Sequence, residues 1–258
     1  MELTLLHFLP ICTTFLSLYF AARIYSRHRT KPGSYHLLWW SIGVALYGAG
    51  TFAESWITLF SWNLIIFKFW YITGAILGGA PLAQGTVWLL LRKSVAKPLS
   101  QFLIIYATIA AVFIILSPVD YALVNSHLPS GNVLRWQWVR LFSPLVNLYA
   151  VVFLIGGAAY SAWKFFRAAP TSRKVRDRFL GNVLIALGAL LPGLGGIASR
   201  LGHTEYLYLG EIIGLIFVWI GYILNIRHRP VTVTSPGGIS IKHPLNAIIR
   251  LLGLLWND

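Results

Sequence analysis

The stretch FKFWYITGAILGGAPLAQGTVWLLL, residues 67–91, is apolar at nearly every position, yet it carries a lysine near one end, a proline in the middle and four glycines. It is long enough to cross a bilayer as a helix, which takes about 20 apolar residues. Gly74-x-x-x-Gly78 is the spacing that lets two membrane helices approach closely, and Pro81 and Gly85 continue the same stripe. The stretch is therefore expected to be the most tightly packed helix of a bundle, kinked where Pro81 removes a backbone hydrogen bond. Gln84 and Thr86 are expected to help satisfy the freed carbonyl, and a kink that also opens a cavity is the alternative.

The rest of the chain has the same character. Of its 258 residues 57% are hydrophobic and 11% charged, whereas a soluble domain carries about 25% charged residues. Seven apolar segments can be marked, at Leu3–Ile24, His36–Ser55, Leu64–Leu91, Leu99–Leu116, Phe142–Trp163, Phe179–Ser199 and Tyr206–Ile226. The fold class is all-α, a seven-helix membrane bundle occupying residues 1–230, and the lipid bilayer is its first partner.

Net charge is +14, but the basic residues sit in short connections rather than on a nucleic-acid-binding face, so a nucleic-acid partner is not expected. Seventeen of the 21 Lys and Arg follow segments 1, 3, 5 and 7; the other four are Lys68, Arg135, Arg140 and Arg200. The positive-inside rule then predicts the N-terminus outside and the C-terminus inside a cytoplasmic (inner) membrane. Basic residues follow the first helix rather than precede it, so that helix is expected to be retained and not cleaved as a signal peptide. Tryptophans near both ends of the segments suit headgroup anchoring. The connection 117–140 is expected to lie solvated on the membrane surface, with a cap over the bundle as the alternative. Past the break at Thr234–Gly238, Pro244–Trp256 has the spacing of a short amphipathic helix on the inner leaflet, within a tail covering 231–258.

An internal repeat is also legible. Residues 42–53 lie over 187–198 with three glycines and an alanine in register, and Gly74, Gly78 and Gly85 lie over Gly210, Gly214 and Gly221. Segments 1–3 and 5–7 then form a parallel duplication about a linker helix, a 3 + 1 + 3 layout. These six glycines and Pro81 are the expected helix-packing residues.

Ionisable side chains inside membrane helices are functional candidates because burial in lipid is costly. Glu54, Lys68 and Glu211 each lie near the same end of their segments, joined by Asn147 and Tyr71. They are expected to line one polar cavity for a ligand, Lys68 compensating the carboxylates. Deeper amides, Gln84, Asn182 and Asn225, are expected to bond between helices. Cys12, the only cysteine, excludes an intrachain disulfide and a cysteine metal site. No histidine pair for haem, metal cluster, nucleophile elbow or phosphate loop is present, and segment 7 lacks a retinal-binding lysine. No cofactor and no catalytic residue is expected.

The run in segment 3, with LLWWSIGVALYGAGTFAES (37–55) before it, resembles a pattern in uncharacterised prokaryotic seven-helix membrane proteins, in which an aromatic pair precedes Gly-Ala and a later Leu and Gly-Thr. The likeness covers segments 2 and 3 and implies the seven-helix fold but no activity. At the level of topology alone, 3 + 1 + 3 is similar to the sugar-transporting SWEET proteins and the opsin group. The leading expectation is a binding protein of the membrane, a sensor, receptor-like module or accessory subunit for a small molecule or membrane-protein partner. A small-solute transporter with its site between the repeats is the alternative, and a membrane-embedded enzyme the second.

Overall fold

A computed structural model describes residues 5–168 and 172–227. The candidate amphipathic helix Pro244–Trp256 and the tail from 231 lie outside the described residues. Nine α-helices are described: α1 Leu9–Arg29, α2 Tyr35–Phe60, α3 Leu64–Trp70, α4 Ala80–Leu90, α5 Lys93–Leu116, α6 Phe142–Ala150, α7 Gly156–Arg167, α8 Arg173–Arg200 and α9 Thr204–Ile226. Six helical stretches among the described residues are long and apolar enough to cross a membrane, which makes this a multi-pass membrane protein. Helix α2 is not among the six. Its 26 residues give the length, but Glu54 and many small, hydroxyl and aromatic residues lower its hydropathy.

The third segment is not one kinked helix. α3 passes into a π-helical turn, Tyr71–Ile76, then leaves helical geometry at Gly78–Gly79, and α4 begins afresh. Pro81 therefore sits in the first turn of a new helix, where a missing N–H costs nothing. A Cβ on Gly78 would stand 2.5 Å from Gly74 O of its own chain, so this glycine serves the local turn, not a partner helix. Gln84 does not repair the break. It donates to Ala96 O (3.1 Å) and Ser100 Oγ (2.7 Å) and accepts from Tyr149 Oη, tying α4 to α5 and α6. Thr86 turns back to Leu82 O, and the carbonyl of Ala75 is taken by Ser143 Oγ at 2.9 Å. The break also leaves an apolar groove of about 260 Å³, lined by Trp39, Ile42, Leu77, Pro81 and Leu103.

The tightest helix pair is α8–α9, not the third segment. Gly181, Gly188 and Gly195 face Gly221, Gly214 and Leu207 in antiparallel register at seven-residue intervals, close to two turns. A Cβ on Gly188 would meet Gly214 O at 2.5 Å, and one on Gly221 would meet Gly181 O at 2.5 Å. Gly210 lies against Leu191 O in the same seam, at 2.8 Å. Backbones this close gain dispersion and Cα–H···O contacts that larger residues would forbid. The short connection that folds α9 back onto α8 turns at Gly202, whose φ of +95° a side chain would strain.

Contacts run round in a closed order, α1 to α2, α2 to the third segment, the third segment to α6, α7 to α8, α8 to α9 and α9 to α1, with α5 outside against the third segment. Gly43 approaches Leu82 N and Gly85 lies under the Trp40 indole, which bind α2 to α4. A second π-helical turn, Val151–Ile155, joins α6 to α7. The 117–140 connection is solvated in part, with Tyr121, Leu123 and Trp138 exposed, and in part packs onto the bundle. It folds as a cap: Val119 pairs with Leu134, Val133, Leu134 and Val139 are buried, and Trp62 N donates to Ser126 O at 2.8 Å. Burying those three aliphatic side chains favours docking of the segment over full solvation.

Gly188→Ala is expected to cost about 1–3 kcal/mol by forcing α8 and α9 apart. Gly193→Ala, on the same helix with no atom within 4 Å of the added methyl, is expected to be neutral or slightly stabilising. Thermal unfolding in detergent separates the two outcomes.

Candidate functional site

The polar residues that matter gather near the end of the bundle that bears the 117–140 cap. Helical spacing puts Tyr47, Thr51, Glu54 and Thr58 on one face of α2, and Tyr208 and Glu211 on one face of α9. Glu54 lies six residues from the end of α2 and Glu211 seven residues from the start of α9, so both sit roughly 10 Å inside their helices. Both are buried, at 3% and 8% exposed. The two carboxyl groups are close enough for their charges to interact.

Around them the helices are held close. Tyr47 Oη donates to the backbone oxygen of Glu211 at 3.0 Å, fixing α2 to α9. Trp70 Nε1 donates to Glu54 Oε1 at 2.8 Å. That reach depends on the approach of α2 to the third segment, where a Cβ on Gly50 would stand 3.3 Å from Gly74 Cα. Thr14 and Thr51 hydroxyls meet at 2.9 Å between α1 and α2. Tyr208, 1% exposed, has Thr58 beside its hydroxyl and the His7 ring edge-on at 6.0 Å between centroids. Neither Glu54 Oε2 nor Glu211 Oε2 accepts a hydrogen bond from an N–H or O–H of the described residues.

Of the residues expected to share one cavity, Glu54 and Glu211 come together and the others do not. Lys68 Nζ donates to Ile115 O at 2.6 Å and Ser117 O at 3.1 Å. It caps the C-terminal end of α5, where unsatisfied carbonyls and the helix dipole both favour a cation. No ion pair joins it to either glutamate. Asn147 is exposed and donates to Ser143 Oγ on its own helix at 3.2 Å. Tyr71 is buried beneath the cap, against Gly131. The apolar groove beside Pro81 is a separate feature and contains none of these groups. The amides Asn182 and Asn225 bond across α8 and α9 at 3.2 Å.

Trp70, Tyr208, Thr58, Thr14 and His7 had not been expected at this site. The spacing signal existed for two of them, since Thr58 follows Glu54 by one turn and Tyr208 precedes Glu211 by one turn. Trp70 carries no such mark, because tryptophan near a segment end has the same sequence signature as an interfacial anchor. Chemically, the cluster offers two carboxyl groups, the hydroxyls of Thr14, Tyr47, Thr51, Thr58 and Tyr208 and one indole donor, and no grouping of three His, Cys, Asp or Glu suited to a metal occurs among the described residues.

Lys68→Met is expected to cost about 1 kcal/mol through the lost cap. Combined with Glu211→Gln in a double-mutant cycle of thermal stability, its effect is expected to add within about 0.5 kcal/mol. Strong coupling would put Lys68 back in the carboxylate cluster. No protein-family model, curated protein or solved structure matches this chain.

Proposed function

We propose that this chain is a seven-span protein of the cytoplasmic (inner) membrane that binds a small molecule or a partner within its bundle, as a sensor, receptor-like module or accessory subunit, and that it is not an enzyme. The observation that carries the reading is the pair of buried carboxyl groups, Glu54 and Glu211, on helices that Tyr47 ties together, with hydroxyl and indole groups around them. Membrane helices carry such groups at a cost of several kcal/mol each unless paired, and packing alone gives no reason to place two acids together. α2 supplies the seventh span by its length and by its place between α1 and the third segment. The N-terminus-outside orientation rests on the basic connections, 17 of 21 cationic residues lying at one end of this topology.

One observation favours transport as a second reading. With Gly43 laid over Gly188 and Gly74 over Gly210, Leu82 falls on Val218. A Cβ on Gly43 would meet Leu82 N at 2.8 Å, and one on Gly188 would meet Val218 N at 2.9 Å. The closed order of contacts has the same two-fold pattern, segments 1–2–3 followed by 5–6–7. These agreements support the parallel repeat. Glu54 then belongs to one triplet and Glu211 to the other, so the site sits at the seam where transporters of duplicated fold bind their substrates.

Two measurements test these readings. In a Cys12→Ser background, Cys introduced at Ser172 is expected to resist an impermeant maleimide added outside intact cells and to react after lysis; labelling from outside overturns the orientation. Protein purified in mild detergent is expected to retain a small molecule, seen by mass spectrometry of the extract, which Glu54→Gln/Glu211→Gln loses. Equal extracts from both proteins overturn the binding reading. Equilibration of that molecule across liposomes only when they contain the wild-type protein selects transport.

A further inference from the structure

We propose that the groove between α2 and α5 is a lipid site, which holds one acyl chain of an anionic phospholipid whose phosphate lies against Lys93 and Lys97 at the start of α5. The site is separate from the glutamate cluster and does not rest on the reading of that cluster. Its floor is where the third segment breaks, at Leu77 and Pro81, with Ile42 and Leu46 of α2 on one side and Ile104 and Ala111 of α5 on the other. Both rims face outward, since Ile42 and Ile104 are 39% and 54% exposed. About 260 Å³ of space lies between them.

The chemistry of the lining selects a hydrocarbon chain. Water stays in a cavity where two to four polar groups hold it. The one hydroxyl in this lining, Thr108, is already spent on Ile104 O at 2.8 Å. An empty groove would forfeit the dispersion contacts of its walls. Within a bilayer the material at hand to fill it is the acyl chain, since no water is present there.

The position of the headgroup follows from the continuation of the same walls. Lys93, Lys97, Gln101, Ile104, Thr108 and Ala111 recur every three or four residues, so the stripe of α5 that lines the groove runs down to two lysines. The start of α2 lies at the same end of the bundle. Its Tyr35 ring is 4.7 Å from that of Trp88, whose Nε1 donates to Ser100 Oγ at 2.8 Å. Ile104 and Ala111 stand roughly 10 and 20 Å along the helix from Lys97. The hydrocarbon of one leaflet is about 15 Å deep, so a chain whose headgroup meets the lysines runs into the groove.

Charge then selects the headgroup. Lys93 and Lys97 are exposed one turn apart, and no acidic residue occurs between Glu54 and Asp120. Two cations without an acid favour a headgroup of net negative charge over a zwitterionic one. Arg92, at the N-cap of α5, supplies no side-chain acceptor, which leaves first-turn N–H groups to add to the attraction for a phosphate.

The test uses the full chain in phosphatidylcholine vesicles with a trace of phosphatidylglycerol that carries a photoreactive diazirine in its acyl chain. Adducts mapped by mass spectrometry should gather on Ile42, Leu46, Ile104 and Thr108, and not on Phe102 and Ile109, which are exposed on another face of α5. Unlabelled phosphatidylglycerol should compete at least five-fold better than extra phosphatidylcholine. Lys93→Gln/Lys97→Gln should remove that preference, because each lysine near an anionic headgroup strengthens binding roughly five-fold. Thr108→Phe should fill the groove and abolish its adducts without changing thermal unfolding; should it not accumulate, the competition and the lysine variant decide. Adducts spread evenly over both faces of α5 would mean bulk lipid only and overturn the proposal. So would equal competition by the two lipids, or an unchanged preference in the lysine variant. Cross-linking of two chains by a short bismaleimide through Thr108→Cys in a Cys12→Ser background, in place of lipid adducts, would make the occupant a second copy and overturn it too. Glu54→Gln/Glu211→Gln should leave the adducts unchanged, so the lipid site and the binding reading of the glutamates fail independently.

Discussion

Inside a hydrocarbon layer, a polar group without a partner has no water to turn to, and much of this structure follows from that constraint. Hydroxyls along α1 and α2 return to carbonyls one turn earlier, as Thr13, Ser17 and Ser55 do. The ammonium of Lys68 takes the carbonyls that end α5, and Gln84 spends its amide on two helices at once. Where the helix stops at Gly78–Gly79, a serine from α6 covers Ala75 O. Against this background the two buried glutamates are conspicuous, since the Oε2 atom of each has no donor among the described residues.

The two halves of the bundle solve the packing problem differently. α8 and α9 use glycine against backbone at intervals of seven residues, a contact without adjustable side chains and with little room for sliding. The first three segments instead use interrupted helices and large rings, with Trp40 over Gly85, Trp70 against Glu54 and Tyr71 under the cap. Interrupted helices also occur in the second half, at Val151–Ile155, so what sets α8 and α9 apart is their glycine seam. Glu54 belongs to the first half and Glu211 to the glycine-seamed pair.

Much of this was legible in the amino-acid sequence. Apolar runs marked the helices, and an acid within an apolar run marks itself, which is why Glu54 and Glu211 could be named. Gly210, Gly214 and Gly221 showed a packing stripe. What could not be read was the partner of each group. Lys68 was assigned to carboxylates because opposite charges are visible in sequence, whereas the carbonyls at a helix end are not. The stripe through Gly74 and Gly78 assumed an unbroken helix, and one π-helical turn followed by a break removes that periodicity. The facing of Gly188 on Gly214 depends on an antiparallel register that periodicity within either helix does not contain. The docking of Val133, Leu134 and Val139 depends on side chains of other segments, which the connection's own sequence does not contain.

Closure of the ring by α9 against α1 bears on how the protein is made. Glu54 enters the membrane with α2, early in synthesis, while Glu211 is added only after the whole of the intervening chain. Until then Glu54 lacks the company of Glu211, and α2, which carries this buried acid, is not among the six helices apolar enough to cross a membrane by themselves. Its retention through that interval falls to α1 and the third segment, through the Thr14–Thr51 contact and the Trp70 indole. An insertion intermediate ending before α9 thus has an incomplete polar core, the kind of feature by which membrane quality control can distinguish an unfinished chain from a finished one.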